Sequence, residues 1–173
     1  MIKVILNANA KDRPGLVSEI SGVIFSLNGN IAESKMLRLE NIFSVIMAIE
    51  IPEKNKDKLD RKVKSIKNLN YTIQTLNSFE QNNDSHKYLF TLECLDSEGI
   101  INHFTNYFNS QNINIDEMNT TTICAPTTGS LLFNLDSTII VPAKMNIEKL
   151  ELKLNSLSEK FNVSYNLLLL KSK

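Results

Sequence analysis

Thiol and imidazole chemistry have little to work with in this chain. It carries two cysteines, Cys94 and Cys124, and two histidines, His86 and His103, and no histidine stands at metal-ligand spacing from a cysteine. No metal site is therefore expected, and the widely separated cysteines give no sign of an oxidising compartment. Nucleophile motifs and glycine-rich phosphate loops are also missing, so the expectation is a protein with no catalytic residues and no cofactor. Excess charge of either sign is absent, since 19 basic side chains balance 19 acidic ones at a pI near 6.7. No global field draws in nucleic acid, and direct DNA binding is not expected. The densest basic stretch, residues 54–67, is broken up by Glu53, Asp57 and Asp60 and underlain by Leu59, Val63 and Ile66 at helical spacing. It reads as a solvated helix face. Long apolar runs are lacking too: Leu167 to Leu170 is far too short to cross a bilayer, and the first residues lack the basic start and cleavage site of a secretory leader. A cytoplasmic protein with no membrane partner is the expectation.

What the chain has instead is ordinary globular composition, 42% hydrophobic and 22% charged, and one organising stretch from Asp12 to Ile31. Pro14 and Gly15 suit a helix start. Leu16, Val17, Ile20, Val23, Ile24 and Leu27 then recur three or four apart as one apolar stripe. Asn28 and Gly29 end the helix, with Gly29 expected to take the positive φ of a helix exit, and Asn30 and Ile31 start an extended run. The pattern returns at a constant offset of 84 residues: Asp96, Gly99, Ile100, Ile101, Phe104, Phe108, Asn112, Asn114 and Ile115 match Asp12, Gly15, Leu16, Val17, Ile20, Ile24, Asn28, Asn30 and Ile31 without a gap. Such a match marks an internal duplication.

Each copy reads as strand, helix, strand, strand, helix, strand, the ferredoxin-like order. In the first copy the strands fall at 3–8, 31–39, 42–51 and 71–76, with Asn41 as a turn residue and the 42–51 strand central because it is apolar on both faces. The polar stretch around Glu80 to Asp84 reads as a linker. In the second copy the strands fall at 88–95, 113–123, 131–141 and 163–170, the first helix at 98–110, and the last helix carries Leu150, Leu154, Leu157 and Phe161 on one side. The expected fold is thus α+β: two ferredoxin-like βαββαβ domains, 1–78 and 87–173, joined by a linker at 79–86, with their antiparallel sheets packed as a pair. The connection from Cys124 to Gly129 is longer than its counterpart at Glu40 and Asn41. Cys94 reads as buried in a strand and Cys124 as exposed; Gly22, which becomes Asn106 in the second copy, reads as a site of close helix packing.

Asp-Arg-Pro-Gly-Leu-Val before a helix and Asn-Ile after it resemble the ACT domain, a small ligand-sensing module. A tandem pair filling nearly the whole chain, with a degraded second copy reading Asp-Ser-Glu-Gly-Ile-Ile-Asn-His-Phe, is similar to the glycine cleavage system transcriptional repressor family. The resemblance implies a non-catalytic regulatory protein that binds a small amino acid, glycine first, where two such domains meet side by side. It would repress transcription through a DNA-binding activator. Such modules also resemble acetolactate synthase small subunits, so a regulatory subunit of an amino-acid biosynthetic enzyme is the alternative.

By this resemblance the ligand-binding residues are Asp12, Arg13, Pro14, Gly15, Leu16, Asn30 and Ile31. The chemistry suits a zwitterion: Asp12 can accept from the ammonium, free amides at the helix start can donate to the carboxylate, and Asn30 can do either. The residues alone equally allow Asp12 to be a helix cap and Asn30 a turn residue. In the second copy Asp96, Gly99 and Asn114 remain, while Ser97 and Glu98 replace Arg13 and Pro14. Glu98 brings a negative charge close to where a ligand carboxylate would sit, so one working site per chain is expected. The apolar residues of the two edge strands imply covering by another strand, and self-association is expected.

Overall fold

The computed structural model describes residues 1–76, 84–95, 98–124 and 129–170. The chain divides into two compact units, Met1–Glu80 and Gln81–Lys173. The first contains β1 (Ile2–Lys11), α1 (Leu16–Ser26), β2 (Asn30–Leu39), β3 (Ile42–Ile51), a single 3-10 turn at Glu53–Asn55, α2 (Lys56–Lys64) and β4 (Asn70–Thr75). The second contains β5 (Ser85–Leu95), α3 (Ile100–Ser110), β6 (Asn114–Cys124), β7 (Leu131–Pro142), α4 (Ile147–Phe161) and β8 (Ser164–Leu169). Each unit forms one antiparallel sheet, ordered β2-β3-β1-β4 and β6-β7-β5-β8. The α+β, ferredoxin-like expectation holds for both units.

Alternation along β1 decides which sheet face carries the helices. Val4, Leu6, Ala8 and Ala10 are buried against Leu16, Ile20 and Ile24 of α1 and Leu59 and Val63 of α2, while Lys3, Asn7 and Asn9 point to the other face. In the second unit Tyr88, Phe90, Leu92 and Cys94 of β5 meet Ile100, Phe104 and Phe108 of α3 and Leu150 and Leu154 of α4. The basic residues of α2 stay exposed over buried Leu59 and Val63, as a solvated face should. β3 is central, as its apolar pattern predicts, yet Ile42 and Ile46 on its outer face remain 43% and 47% exposed. β2 and β6 are edge strands, and each breaks its register with β3 or β7 at the same place, between Ile31 and Glu33 and between Ile115 and Glu117.

Several local expectations differ from what the backbone does. β1 runs on to Lys11 because polar Asn7 and Asn9 occupy its outer face, and β5 begins at Ser85, with Ser85 and His86 paired to Pro142 and Val141. Asn28, not Gly29, takes the left-handed conformation at the exit of α1, with φ 54°, and Asn112 does the same after α3 with φ 53°. Gly29 is needed for room instead: a Cβ there would lie 2.9 Å from Ile24 Cγ2 and 3.1 Å from the Ile24 carbonyl oxygen. Gly22 does not serve helix packing, since a Cβ at that position would meet nothing within 4 Å. At the β2–β3 hairpin Asn41 is a turn residue as expected, and its neighbour Glu40 takes the left-handed conformation at φ 51°. The connection after Cys124, residues 125–128, and most of the linker stretch, residues 77–83, lie outside the described residues.

Candidate functional site

β1 ends at Lys11, and four residues turn the chain into α1. Gly15 closes that turn at φ 92°, a conformation that L side chains rarely adopt, and Gly99 repeats it before α3 at φ 85°. Among the described residues no side-chain cap is bonded at the start of α1, whose N-cap is Gly15, so the amides of its first turn are left open there. Asp12 is therefore not the helix cap. Its backbone amide donates to the Asn41 carbonyl oxygen at 2.7 Å, which ties the turn to the β2–β3 hairpin. Its carboxylate remains partly exposed, 3.6 Å from the Arg38 guanidinium. Asp12, Gly15, Leu16, Ser18, Ser21 and Phe43 line one open depression together with Arg13 and Val17. A carboxylate and a set of uncapped amides thus share one concavity, with apolar Leu16 and Phe43 buried beside them.

Arg13 is not free within this arrangement. Its two terminal nitrogens donate to the two carboxylate oxygens of Glu19 at 2.6 and 2.7 Å, a bidentate pair half open to water. The hydrogen bond holds the Arg13 guanidinium above and the Glu19 carboxyl below their ordinary ranges, with direct charge attraction adding to it and partial desolvation opposing it. Glu19, Ser18, Ser21 and Phe43 are site neighbours that the sequence reading missed. Helical spacing from Leu16 could have placed Ser18 and Ser21 near the helix start, but the Arg13–Glu19 pair spans a non-helical turn and has no periodic signal.

Asn30 and Ile31 lie elsewhere. Asn30 pairs with Glu50 and Ile31 with Ile49, whereas Asp12 is bonded to Asn41 at the other end of β3. At roughly 3.3 Å per strand residue the two ends are about 26 Å apart, so one unit does not bring Asp12 and Asn30 to a common ligand. In the second unit Asn114 pairs with Ile140 at the end of the sheet away from Gly99, and Asp96 and Ser97 lie outside the described residues. His103 occupies the position of Glu19 and stacks on Phe161 with ring centroids 4.2 Å apart. Cys94 is buried and Cys124 exposed. Among the described residues no group of side chains is placed to hold a metal ion, and no helix is long and apolar enough to cross a membrane.

A family model for the ACT domain matches residues 3–74, which span the first unit from β1 to β4. The first unit is an ACT domain. The second repeats its strand order, so the chain is a tandem of ACT-like domains. Two solved structures match along their whole lengths. One is an unknown protein from Galdieria sulphuraria, with a TM-score of 0.89 at 23% identity, covering 98% of this chain and 99% of that one. The other is a "putative glycine cleavage system transcriptional repressor", with a TM-score of 0.74 at 18% identity, covering 99% of this chain and 98% of that one. At these identities the likeness is one of fold. A comparison with curated proteins gives no match.

Proposed function

We propose that this tandem ACT protein is a non-catalytic sensor of a small amino acid, glycine first, and that it represses transcription by binding a DNA-binding activator. The observation that carries the reading is the start of α1, where the Asp12 carboxylate and the uncapped first-turn amides open into one depression. A zwitterion needs both halves: Asp12 accepts from its ammonium, and the amides beyond Gly15 donate to its carboxylate, where the helix dipole adds attraction. Glycine has no side chain to house, so its affinity must come from charge-assisted hydrogen bonds. Asn30 joins that ligand only if a second chain contributes it, and the reading therefore includes self-association through the edge strands. Balanced charge speaks against direct action on DNA and fits action through a protein partner; the cytoplasm is the compartment the reading assumes. The domains are read as 1–78 and 87–173 about a linker at 79–86, with the end of that linker, Ser85 and His86, already paired within β5.

Thermal shift against the free amino acids tests the ligand: a saturable rise in the unfolding midpoint with glycine is expected, and no rise with any of them overturns the sensor reading. Co-purification tests the role. A retained transcription activator is expected, and retention of a large catalytic subunit whose activity follows amino-acid concentration would replace repression with enzyme regulation.

A further inference from the structure

A guanidinium presents a planar fork that one carboxylate can fill with both oxygens. In the first unit Glu19 fills the fork of Arg13, through bonds of 2.6 and 2.7 Å, with 38% and 43% of the two side chains exposed. The pair arches over the turn: a Cβ on Gly15 would stand 3.7 Å from Glu19 Oε1. Arg13 itself lines two depressions, one with Asp12, Gly15 and Ser18 and the other with Val23, Ser65 and Lys67, whereas Glu19 lines only the second. Arg13 is thus in the wall of the depression where a free amino acid docked against Asp12 would place its carboxylate beside the first-turn amides, within the reach of a competing guanidinium.

We infer that Glu19 is an internal stand-in for the ligand carboxylate: in the empty unit it holds Arg13, and amino-acid binding exchanges one carboxylate for the other on that guanidinium. The inference rests on the reading of the Asp12 depression as an amino-acid site. No covalent bond or proton moves in the exchange. Its cost is low because water solvates both partners of an exposed pair, and the released Glu19 remains in the first turn of α1, where the helix dipole favours a negative charge. The device belongs to one unit only. Ser97 and His103 stand at the positions of Arg13 and Glu19, and His103 is stacked on Phe161 instead. Arg13 thereby becomes a specificity element, because a ligand must offer a carboxylate good enough to displace the resident one.

The test is a titration of the nitrogen-15-labelled full chain with glycine, and with glycinamide, which lacks the carboxylate, followed by NMR at the Arg13 Nε–H and the Gly15 to Ser18 amides. Glycine is expected to shift the Arg13 signal together with the amides, glycinamide to leave Arg13 unmoved, and Glu19→Gln to bind glycine about two- to fivefold more tightly. Amide shifts without an Arg13 shift, or unchanged affinity in a folded Glu19→Gln protein, overturn the exchange and leave the amino-acid site standing. No shift with glycine or any other amino acid overturns both. Should Glu19→Gln fail to fold, the wild-type response of Arg13 to glycine against glycinamide decides alone.

Discussion

The two units build one backbone from different volumes. Leu6 and Met47 face each other across β1 and β3 in the first, both fully buried. The corresponding pair in the second is Phe90 and Ser137, again buried, so a larger residue on one strand is matched by a smaller one on its neighbour. Around Phe90 the substitution spreads: Ile20 and Ile24 of α1 become Phe104 and Phe108 of α3, whose rings lie 5.6 and 5.2 Å from that of Phe90. The Ser137 hydroxyl then donates to the Glu117 carbonyl oxygen at 2.9 Å, at the irregularity in β6. What survives duplication is thus the summed volume and the backbone irregularity, while the individual side chains are free to trade. The helix starts diverge in another way. Both keep the left-handed glycine, but the second has lost the Arg–Glu pair above it.

That contrast can be broken experimentally. Asp12→Ala is expected to cost about 2–4 kcal/mol of glycine affinity, thirtyfold or more, with little change in unfolding midpoint because Asp12 caps nothing. Calorimetry on Asp12→Ala and Asn30→Ala against Asp96→Ala and Asn114→Ala reads the difference between the copies; equal losses in both would erase it. Ser137→Met should destabilise the second unit by about 2–3 kcal/mol, from overpacking against Phe90 and the lost hydroxyl bond. Adding Phe90→Leu should restore about 1 kcal/mol or more, and simple additivity in urea unfolding would show that the two positions do not exchange volume. Gly29→Ala should cost about 1–2 kcal/mol, since the new Cβ meets the Ile24 Cγ2 branch and carbonyl; the second unit carries buried Ile113 there, opposite a phenylalanine that has no such branch. Gly22→Ala should instead stabilise by about 0.5–1 kcal/mol, because the position is helical and open. A raised melting temperature with unchanged ligand affinity is the expected reading.

Element order was legible because periodicity and the 84-residue offset act along the chain, and both depend on which face is buried. Leu16, Ile20 and Ile24 could be read that way, and so could Phe104 and Phe108. The strand ends were less legible, since Asn7, Asn9 and His86 are polar only because they sit on an outer face or near an end. Glycine roles were misread where the choice depended on the space around the backbone: Gly29 is set by Ile24 and Glu50, and Gly22 by empty space. At the candidate site Asp12, Gly15 and Leu16 do share a depression, but the Arg13–Glu19 pairing and the 26 Å (about eight strand residues) between Asp12 and Asn30 follow from the turn and the sheet. Neither is encoded in local spacing.

The separation into two cores also decides what an optical unfolding experiment reports. The chain has no tryptophan, and of its four tyrosines Tyr88, Tyr107 and Tyr165 belong to the second core while Tyr71 alone packs against the first. Intrinsic fluorescence therefore follows mainly the aromatic unit, and melting of the aliphatic one, with its candidate ligand site, passes nearly unseen. Phe43→Trp would place a selective emitter in the wall of the Asp12 depression, so that denaturation and occupancy of the first unit could be watched against a dark background.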